Sequence, residues 1–317
     1  MRQHVIKVGP HSIVGYKVNN NRELSDFQKL TLIQNCSKAH TVGQITENQQ
    51  KQIKTMLQIW LSSIYIERDI SGMSVKEFPY YPSFLTITLP KDQRHDDQWI
   101  KKHMFFRLLE ILQKKYGVHH YFWRAEKKHG KRIHFHIITD RYLKWQDVRI
   151  EWNLICRNNY YHEDIPINYE SLGSNSIDIE KITNFDGACK YVSKYMSKDE
   201  HNDRIGGHVW GCSRGLKNIN QPVFVCDDII MNDLSKLRNE SGVTHTNTEQ
   251  YEVVLLPKGK KIFDYKYCFS NLYTMFCMDA YRELYLSNES TINYEMDCKD
   301  LHDAIRESTV IQAELWV

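Results

Sequence analysis

The sequence predicts an α+β fold: an antiparallel sheet with helices on one face. Three observations support this. Strand-like and helix-like stretches alternate between residues 82 and 213, and two of the strand-like stretches are separated by only four residues, which favours an antiparallel hairpin. The third is composition: 41% of the 317 residues are hydrophobic and 26% are charged, which is typical of a globular chain of about two domains.

A helix and then a strand are the first elements that the pattern defines. Residues 46–66 carry apolar side chains at helical spacing behind a Thr46/Gln49 capping box, so we expect a helix there. The β-rich residues 84–89 end at Pro90 and predict the first strand of the sheet. We find no recognisable chemistry before this strand and expect residues 1–80 to form a helical N-terminal extension.

The elements that follow complete one sheet. Asp96 or Asp97 can cap a helix that ends before Gly117, and His129-Gly130 can form a hairpin turn. The expected elements are, in order, a helix over about 97–115, strands over 121–127 and 132–139, a helix over about 144–157, a strand near 177–182, a helix over about 185–198 and a strand near 209–213. This β-α-β-β-α-β-α-β order is typical of a ferredoxin-like or RRM-like sheet.

Charge divides the chain into a basic body and an acidic end. Residues 1–220 contain 33 Lys and Arg against 23 Asp and Glu, whereas residues 221–317 contain 9 against 16. This asymmetry indicates either a polyanion partner for the basic body or two solvated surfaces of opposite sign. We expect three parts: the extension at 1–80, the sheet domain at 81–220, and an acidic C-terminal region of unknown role, with a strand near 253–256 and a helix near 268–286, at 221–317.

Several classes of protein are excluded by what the sequence lacks. No apolar run approaches the roughly 20 residues of a membrane span, and the N-terminus lacks a signal-peptide pattern, so we expect a cytoplasmic protein with no membrane partner. The eight cysteines show no paired spacing and are expected to be reduced thiols without structural zinc. There is no glycine-rich phosphate loop, so we expect no fused helicase.

A candidate metal site lies in the predicted hairpin. His134 and His136 are two apart on a strand, so their imidazoles project from the same face. The hairpin brings Glu126 beside them, and this mixed set suits Mg²⁺ or Mn²⁺ with open positions for water and phosphate oxygens. The alternative is that a His-x-His pattern on an exposed sheet is ordinary polar surface.

A second candidate lies on the predicted helix over 185–198. Tyr191, Lys194, Tyr195 and Lys198 fall within an arc of about 100° on one helix face. A phenol with a pKa of about 10 is a weak nucleophile, and nearby lysines and a metal would assist its attack on phosphorus. The alternative is an amphipathic helix with incidental tyrosines and lysines.

Three motifs in this order resemble those of the HUH-superfamily replication initiators: FLTITL at 84–89, Glu126 with His134-Phe135-His136, and YVSKYMSK at 191–198. The doubled tyrosine is most similar to the two-tyrosine initiators of phages and plasmids. The resemblance implies an HUH endonuclease domain that nicks single-stranded DNA at an origin, leaving a 5′-phosphotyrosyl link and a free 3′-hydroxyl for rolling-circle replication. In this scheme Tyr195 attacks first, with Lys198 as its partner.

The resemblance also implies partners. We expect single-stranded or hairpin origin DNA, together with a host helicase and replication proteins in a bacterial cytoplasm. The basic residues around the hairpin that could contact phosphates are Arg124, Lys127, Lys128, Lys131 and Arg132. The alternatives are a plasmid relaxase or single-strand transposase with the same chemistry, and a noncatalytic RRM-like module that stacks bases on Tyr121 and Trp123.

Overall fold

The computed structural model describes residues 2–19, 45–73, 80–127, 132–161, 167–169, 171–182, 204–249 and 251–286. In these residues the strands are β1 (Arg2–Val8), β2 (Ser12–Asn19), β3 (Ser83–Thr88), β4 (Tyr121–Glu126), β5 (His134–Thr139), β6 (Ile177–Lys181), β7 (Trp210–Cys212), β8 (Val223–Val225), β9 (Thr244–Asn247) and β10 (Tyr251–Leu255). The α-helices are α1 (Glu47–Ser71), α2 (Asp97–Ile100), α3 (Phe106–Tyr116), α4 (Trp145–Asn158), α5 (Asp228–Arg238) and α6 (Cys268–Tyr285). The predicted α+β fold class is confirmed.

The central sheet has the strand order β6-β3-β5-β4-β7, and every neighbouring pair is antiparallel. Its first four strands, together with α3 and α4, have the order and connections of a ferredoxin-like sheet. One face of the sheet is covered by helices: the Phe105 ring stacks on Phe135 at 3.9 Å, and the Trp152 indole donates to the Thr88 carbonyl at 2.7 Å. Strands β3 and β5 therefore form the middle of the domain.

Capping residues set the helix ends as the sequence predicts. The Thr46 hydroxyl accepts from the Gln49 backbone N–H at 3.3 Å, and the Gln49 side chain accepts from the Thr46 N–H at 3.0 Å. Asp96 caps α2, and Gly117 ends α3 with a φ of 67°. Between α2 and α3 the chain makes one π-helical turn, Lys101–Phe105, which the pattern did not predict.

The terminal sheet is formed by residues from both ends of the described chain, in the order β8-β1-β2-β10-β9. The expectation of a purely helical extension missed β1 and β2, because their pairing partners β8 and β10 lie more than 200 residues later. Helix α5 and helix α6 cover one face of this sheet, where Ile6, Ile13, Leu234 and Phe269 share a core. The boundaries at 80/81 and 220/221 remain predictions.

Helix α6 also joins the terminal sheet to the central sheet through α1. The Trp60 indole on α1 donates to the Tyr285 hydroxyl on α6 at 2.9 Å, and the hydroxyls of Ser62 and Tyr273 are 3.3 Å apart. His120, which precedes β4, lies 2.8 Å from the Leu284 carbonyl. The C-terminal region thus packs directly on the sheet domain. No helix in the described ranges is long and apolar enough to cross a membrane.

Candidate functional site on the central sheet

The register of the three middle strands places the predicted metal ligands on one face of the sheet. Across the strands, Thr86 pairs with His136 and His136 with Arg124, while Thr88 pairs with His134 and His134 with Glu126. Residues directly opposite each other in an antiparallel sheet share a face. We call this group the site face; it consists of Thr86, Thr88, Arg124, Glu126, His134 and His136.

Alternation along β5 explains why this face is polar. Phe135, between the two histidines, points to the opposite face and is fully buried against Phe105. The apolar residues of β5 thus fix its register in the core, and the histidines must then face the other way. The His-x-His pattern therefore describes one face of a central strand.

His136 is held by contacts on three sides. Its Nε2 lies 3.2 Å from the Glu126 carboxylate, and its Nδ1 lies 3.1 Å from the Thr86 hydroxyl. The ring also stacks on Phe84 with centroids 5.6 Å apart. Both the position and the ring orientation of this histidine are therefore defined by its neighbours.

The Glu126 carboxylate lies among cationic and polar groups, although the residue is 9% exposed. The Arg124 guanidinium, on the same strand and face, places Nε 3.8 Å from Oε1 of Glu126. Arg124 is itself only 3% exposed. Since a buried carboxylate is costly unless it is paired, this arrangement stabilises an ionised Glu126 beside His136.

Donor chemistry and side-chain positions give different answers on the predicted metal site. A carboxylate and two imidazoles on one face are suitable ligands for Mg²⁺ or Mn²⁺. In the described ranges, however, no three His, Cys, Asp or Glu side chains lie close enough to hold an ion together. Glu126 and His136 approach each other, whereas His134 would have to turn toward them to complete the set.

The basic residues predicted to contact DNA have different environments. Arg124 lies in the interior of the site face and not on its surface. Lys127 places its ammonium 3.1 Å from Asp97, and the Arg132 guanidinium donates to the Leu89 carbonyl at 2.9 Å. Lys128 and Lys131 lie outside the described residues. The predicted role of these five residues in DNA binding stays a prediction.

The predicted catalytic residues Tyr191, Tyr195, Lys194 and Lys198 also lie outside the described residues. Chain connection alone relates them to the sheet. The segment that contains them follows β6, at one edge of the central sheet, and precedes β7, at the other edge. Their part in the site therefore rests on the sequence.

A buried lysine beside this segment was not recognised from the sequence. The Lys101 ammonium, in the π-helical turn, donates to the carbonyls of Gly206 and His208 at 2.5 and 2.7 Å. Burial lowers the pKa of Lys101 to about 8. The available signal was a lysine between the apolar residues Ile100 and Met104 in a stretch that otherwise has the pattern of a plain amphipathic helix.

Asp97 completes the attachment of the loop that leads into β7. Its carboxylate accepts from the Gly206 N–H at 3.2 Å and the Gln93 amide at 2.7 Å, and it pairs with Lys127. Burial would raise the pKa of Asp97, but these hydrogen bonds outweigh it and lower the pKa below its ordinary value. Residues 206–208 are therefore anchored at the end of the sheet that carries Glu126.

The aromatic side chains considered for base stacking are not suitably placed. Trp123 is 4% exposed and meets the Phe105 ring edge-on at 5.2 Å, on the helix-covered face. Tyr121 lies on the same face and is partly buried. A noncatalytic module that stacks bases on this pair would first have to displace the covering helices.

The central sheet is also the part of the chain that matches a known family. Residues 82–200 match the family model of the replication-associated protein ORF2. The match extends from β3 past β6 and includes the tyrosine segment, which is more than a third of the chain. It supports membership of a replication initiator family. No curated protein and no solved structure gives a significant match.

Proposed function

We propose that this protein is a replication initiator that nicks single-stranded DNA at an origin by metal-dependent tyrosine transesterification. The observation that carries the proposal is the contact between Glu126 and His136, with His134 on the same face of the central sheet. The family match supports the coarser function, since it spans both this sheet and the tyrosine segment. The proposed substrate is single-stranded or hairpin origin DNA.

In the proposed reaction the Tyr195 oxygen forms a bond to phosphorus and the bond from phosphorus to the 3′ oxygen breaks. The phenol loses its proton, and the departing 3′ oxygen gains one to become a free hydroxyl that primes replication. Lys198 or Lys194 offsets negative charge on phosphate or phenolate. Tyr191, one helical turn earlier in the expected helix, would take the strand in a second transfer of the same kind.

Glu126, His134 and His136 are the residues proposed to hold Mg²⁺ or Mn²⁺. When bound, such an ion polarises the scissile phosphate and favours attack on phosphorus. The chain's contribution is to present a carboxylate and two imidazoles on a rigid pair of strands, with Phe135 fixing their direction from below. Arg124 keeps Glu126 ionised in the absence of the ion.

Two alternatives with the same chemistry differ in biology. A plasmid relaxase or a single-strand transposase would use the same residues, and the doubled tyrosine with a lysine three positions after each favours an initiator. A noncatalytic RRM-like nucleic-acid-binding protein is less well supported, because Trp123 is buried. Host helicase and replication proteins remain the proposed protein partners.

Cleavage of a labelled single-stranded origin oligonucleotide tests the proposal. We expect nicking and a covalent protein–DNA adduct with Mg²⁺ or Mn²⁺, and neither product in EDTA. His136→Ala should abolish nicking but leave binding of the oligonucleotide within a few-fold, because binding rests mainly on phosphate contacts. Full metal-stimulated cleavage by both His136→Ala and His134→Ala would remove the metal assignment.

Assignment of the two tyrosines needs a matched control. Tyr195→Phe should lose most of the adduct, whereas Tyr191→Phe should form it but fail in strand joining. Tyr160→Phe, which removes a phenol that is 77% exposed and far from the motifs in sequence, should behave as wild type. Peptide mapping of the adduct decides: label mainly on Tyr191 reverses the assignment, and label on neither residue contradicts the endonuclease proposal.

A further inference from the structure

Strand β3 carries a Thr-x-Thr pattern that no role assigned so far explains. Thr86 lies opposite His136 and Thr88 lies opposite His134 in the sheet register. Only one of these hydroxyls is engaged: the Thr86 oxygen is 3.1 Å from Nδ1 of His136, whereas the buried Thr88 hydroxyl has no hydrogen-bond partner among the described residues. The two threonines therefore make different contributions despite their shared face.

The direction of the hydrogen bonds follows from the chemistry of the partners. An ionised Glu126 can only accept, so a neutral His136 ring must carry its proton on Nε2 to bond this carboxylate. Nδ1 is then a lone-pair acceptor, and the Thr86 hydroxyl must donate to it. Rotation of the ring by 180° would replace both nitrogens with carbons and lose both bonds.

We propose that Thr86 is a positioning residue for His136, whose hydroxyl fixes which face of the imidazole meets Glu126. The role also serves the metal site, and in this respect it rests on the proposed function. If Nε2 binds a metal ion through its lone pair, the ring proton must reside on Nδ1. The Thr86 hydroxyl can then turn and accept from Nδ1–H, because a hydroxyl is both donor and acceptor.

This dual capacity explains why a hydroxyl is suited to the position. A carboxylate or carbonyl could only accept, and would hold the proton on Nδ1 even without a metal. Valine, which has nearly the same shape as threonine, could satisfy neither state. Partners that orient a metal-binding histidine typically affect metal affinity by about 10- to 100-fold when they are removed.

The test uses full-length protein with ¹⁵N-labelled histidine, measured by NMR without metal at about pH 8, where an unperturbed imidazole is neutral. Wild-type His136 should show a protonated Nε2 and a hydrogen-bonded, unprotonated Nδ1. Thr86→Val should shift the Nδ1 resonance to that of a nitrogen without a hydrogen bond, and Thr86→Ser should restore it. Thr88→Val makes the same chemical change on the same strand and face, and should leave the His136 spectrum unchanged.

A Mn²⁺ titration of the same proteins gives the second readout. Thr86→Val should bind Mn²⁺ about tenfold or more weakly, with DNA affinity unchanged and Thr86→Ser close to wild type. If Thr86→Val fails to fold, Thr86→Ala takes its place. An unchanged His136 spectrum in Thr86→Val, or a proton on Nδ1 in the metal-free wild type, overturns the proposal. If Thr86→Val alters the spectrum while wild-type protein neither binds Mn²⁺ nor nicks DNA, the positioning role stands and the proposed function fails.

Discussion

The buried carboxyl of Asp140 links the C-terminal helix α6 to the central sheet and predicts how stability depends on pH. Asp140 follows β5 and is fully buried. It accepts from the backbone N–H groups of His119 and His120 at 3.2 and 2.8 Å, and the Tyr285 hydroxyl is its side-chain partner. Burial outweighs these bonds and raises the pKa of Asp140 to about 7.

The size and sign of the effect follow from this pKa. In the unfolded chain Asp140 loses its proton near pH 3.8, whereas in the folded protein it keeps the proton until about pH 7. Between these values the folded state binds one more proton, so a rise in pH favours unfolding. Each pH unit lowers the free energy of unfolding by about 1.4 kcal/mol, and the total loss is at most about 4 kcal/mol. The stabilisation is complete below about pH 4 and is lost as pH rises through 7.

Urea unfolding followed by tryptophan fluorescence between pH 4 and 8 measures this effect. Asp140→Asn replaces the carboxyl with a group that does not titrate, so the wild-type protein should lose stability relative to this variant as pH rises. Because other carboxylates also titrate, the difference between the two proteins isolates Asp140. Asp92→Asn, which removes an exposed carboxyl, is the matched control. A difference between wild type and Asp140→Asn that stays constant from pH 4 to 8 would refute the argument.

Three further substitutions test the packing around the site. Gly211→Ala should cost about 1–3 kcal/mol in urea unfolding, because its Cβ would lie 2.8 Å from the Trp123 indole nitrogen, whereas Gly15→Ala, with 3.7 Å to its nearest neighbour, should be much milder; equal losses would contradict this. Lys101→Met leaves two carbonyls of the loop before β7 without their donor and should cost about 1–3 kcal/mol. Thr88→Val removes a buried hydroxyl without a partner in the described chain, so its stability should be unchanged or higher by up to about 1 kcal/mol, and a clear loss would contradict this.

The central sheet could be predicted because its signals are local. The strand ending at Pro90, the cap at Asp96 and the helix end at Gly117 depend on residues close in sequence. The same holds for the site face: alternation around Phe135 and the short connection between β4 and β5 bring Glu126 beside the histidines. Local periodicity could not reveal that Glu126 contacts His136 at close range while His134 does not complete the group, since side-chain rotation decides this.

The terminal sheet could not be predicted because its pairing is long-range. Strand β8 has only three residues, and both Val223 and Val225 are about half exposed, so the pattern around it lacks a strong apolar signal. It becomes a strand by pairing with β1, which is more than 200 residues away. The buried Lys101 was missed for a related reason: its partners are backbone carbonyls of residues 206 and 208, which leave no side-chain pattern.

The structure also changes how the charge asymmetry between body and C-terminal region can be tested. Residues after 220 supply β8, β9 and β10 of the terminal sheet, together with α5 and α6. Tyr285 at the end of α6 bonds both the Trp60 indole and the buried Asp140, so truncation at residue 220 would leave these groups without a partner. Such a truncation would unfold part of the protein as well as remove negative charge. The electrostatic contribution of the acidic region to DNA affinity must therefore be measured with charge-neutralising substitutions of exposed acids, which leave both sheets intact.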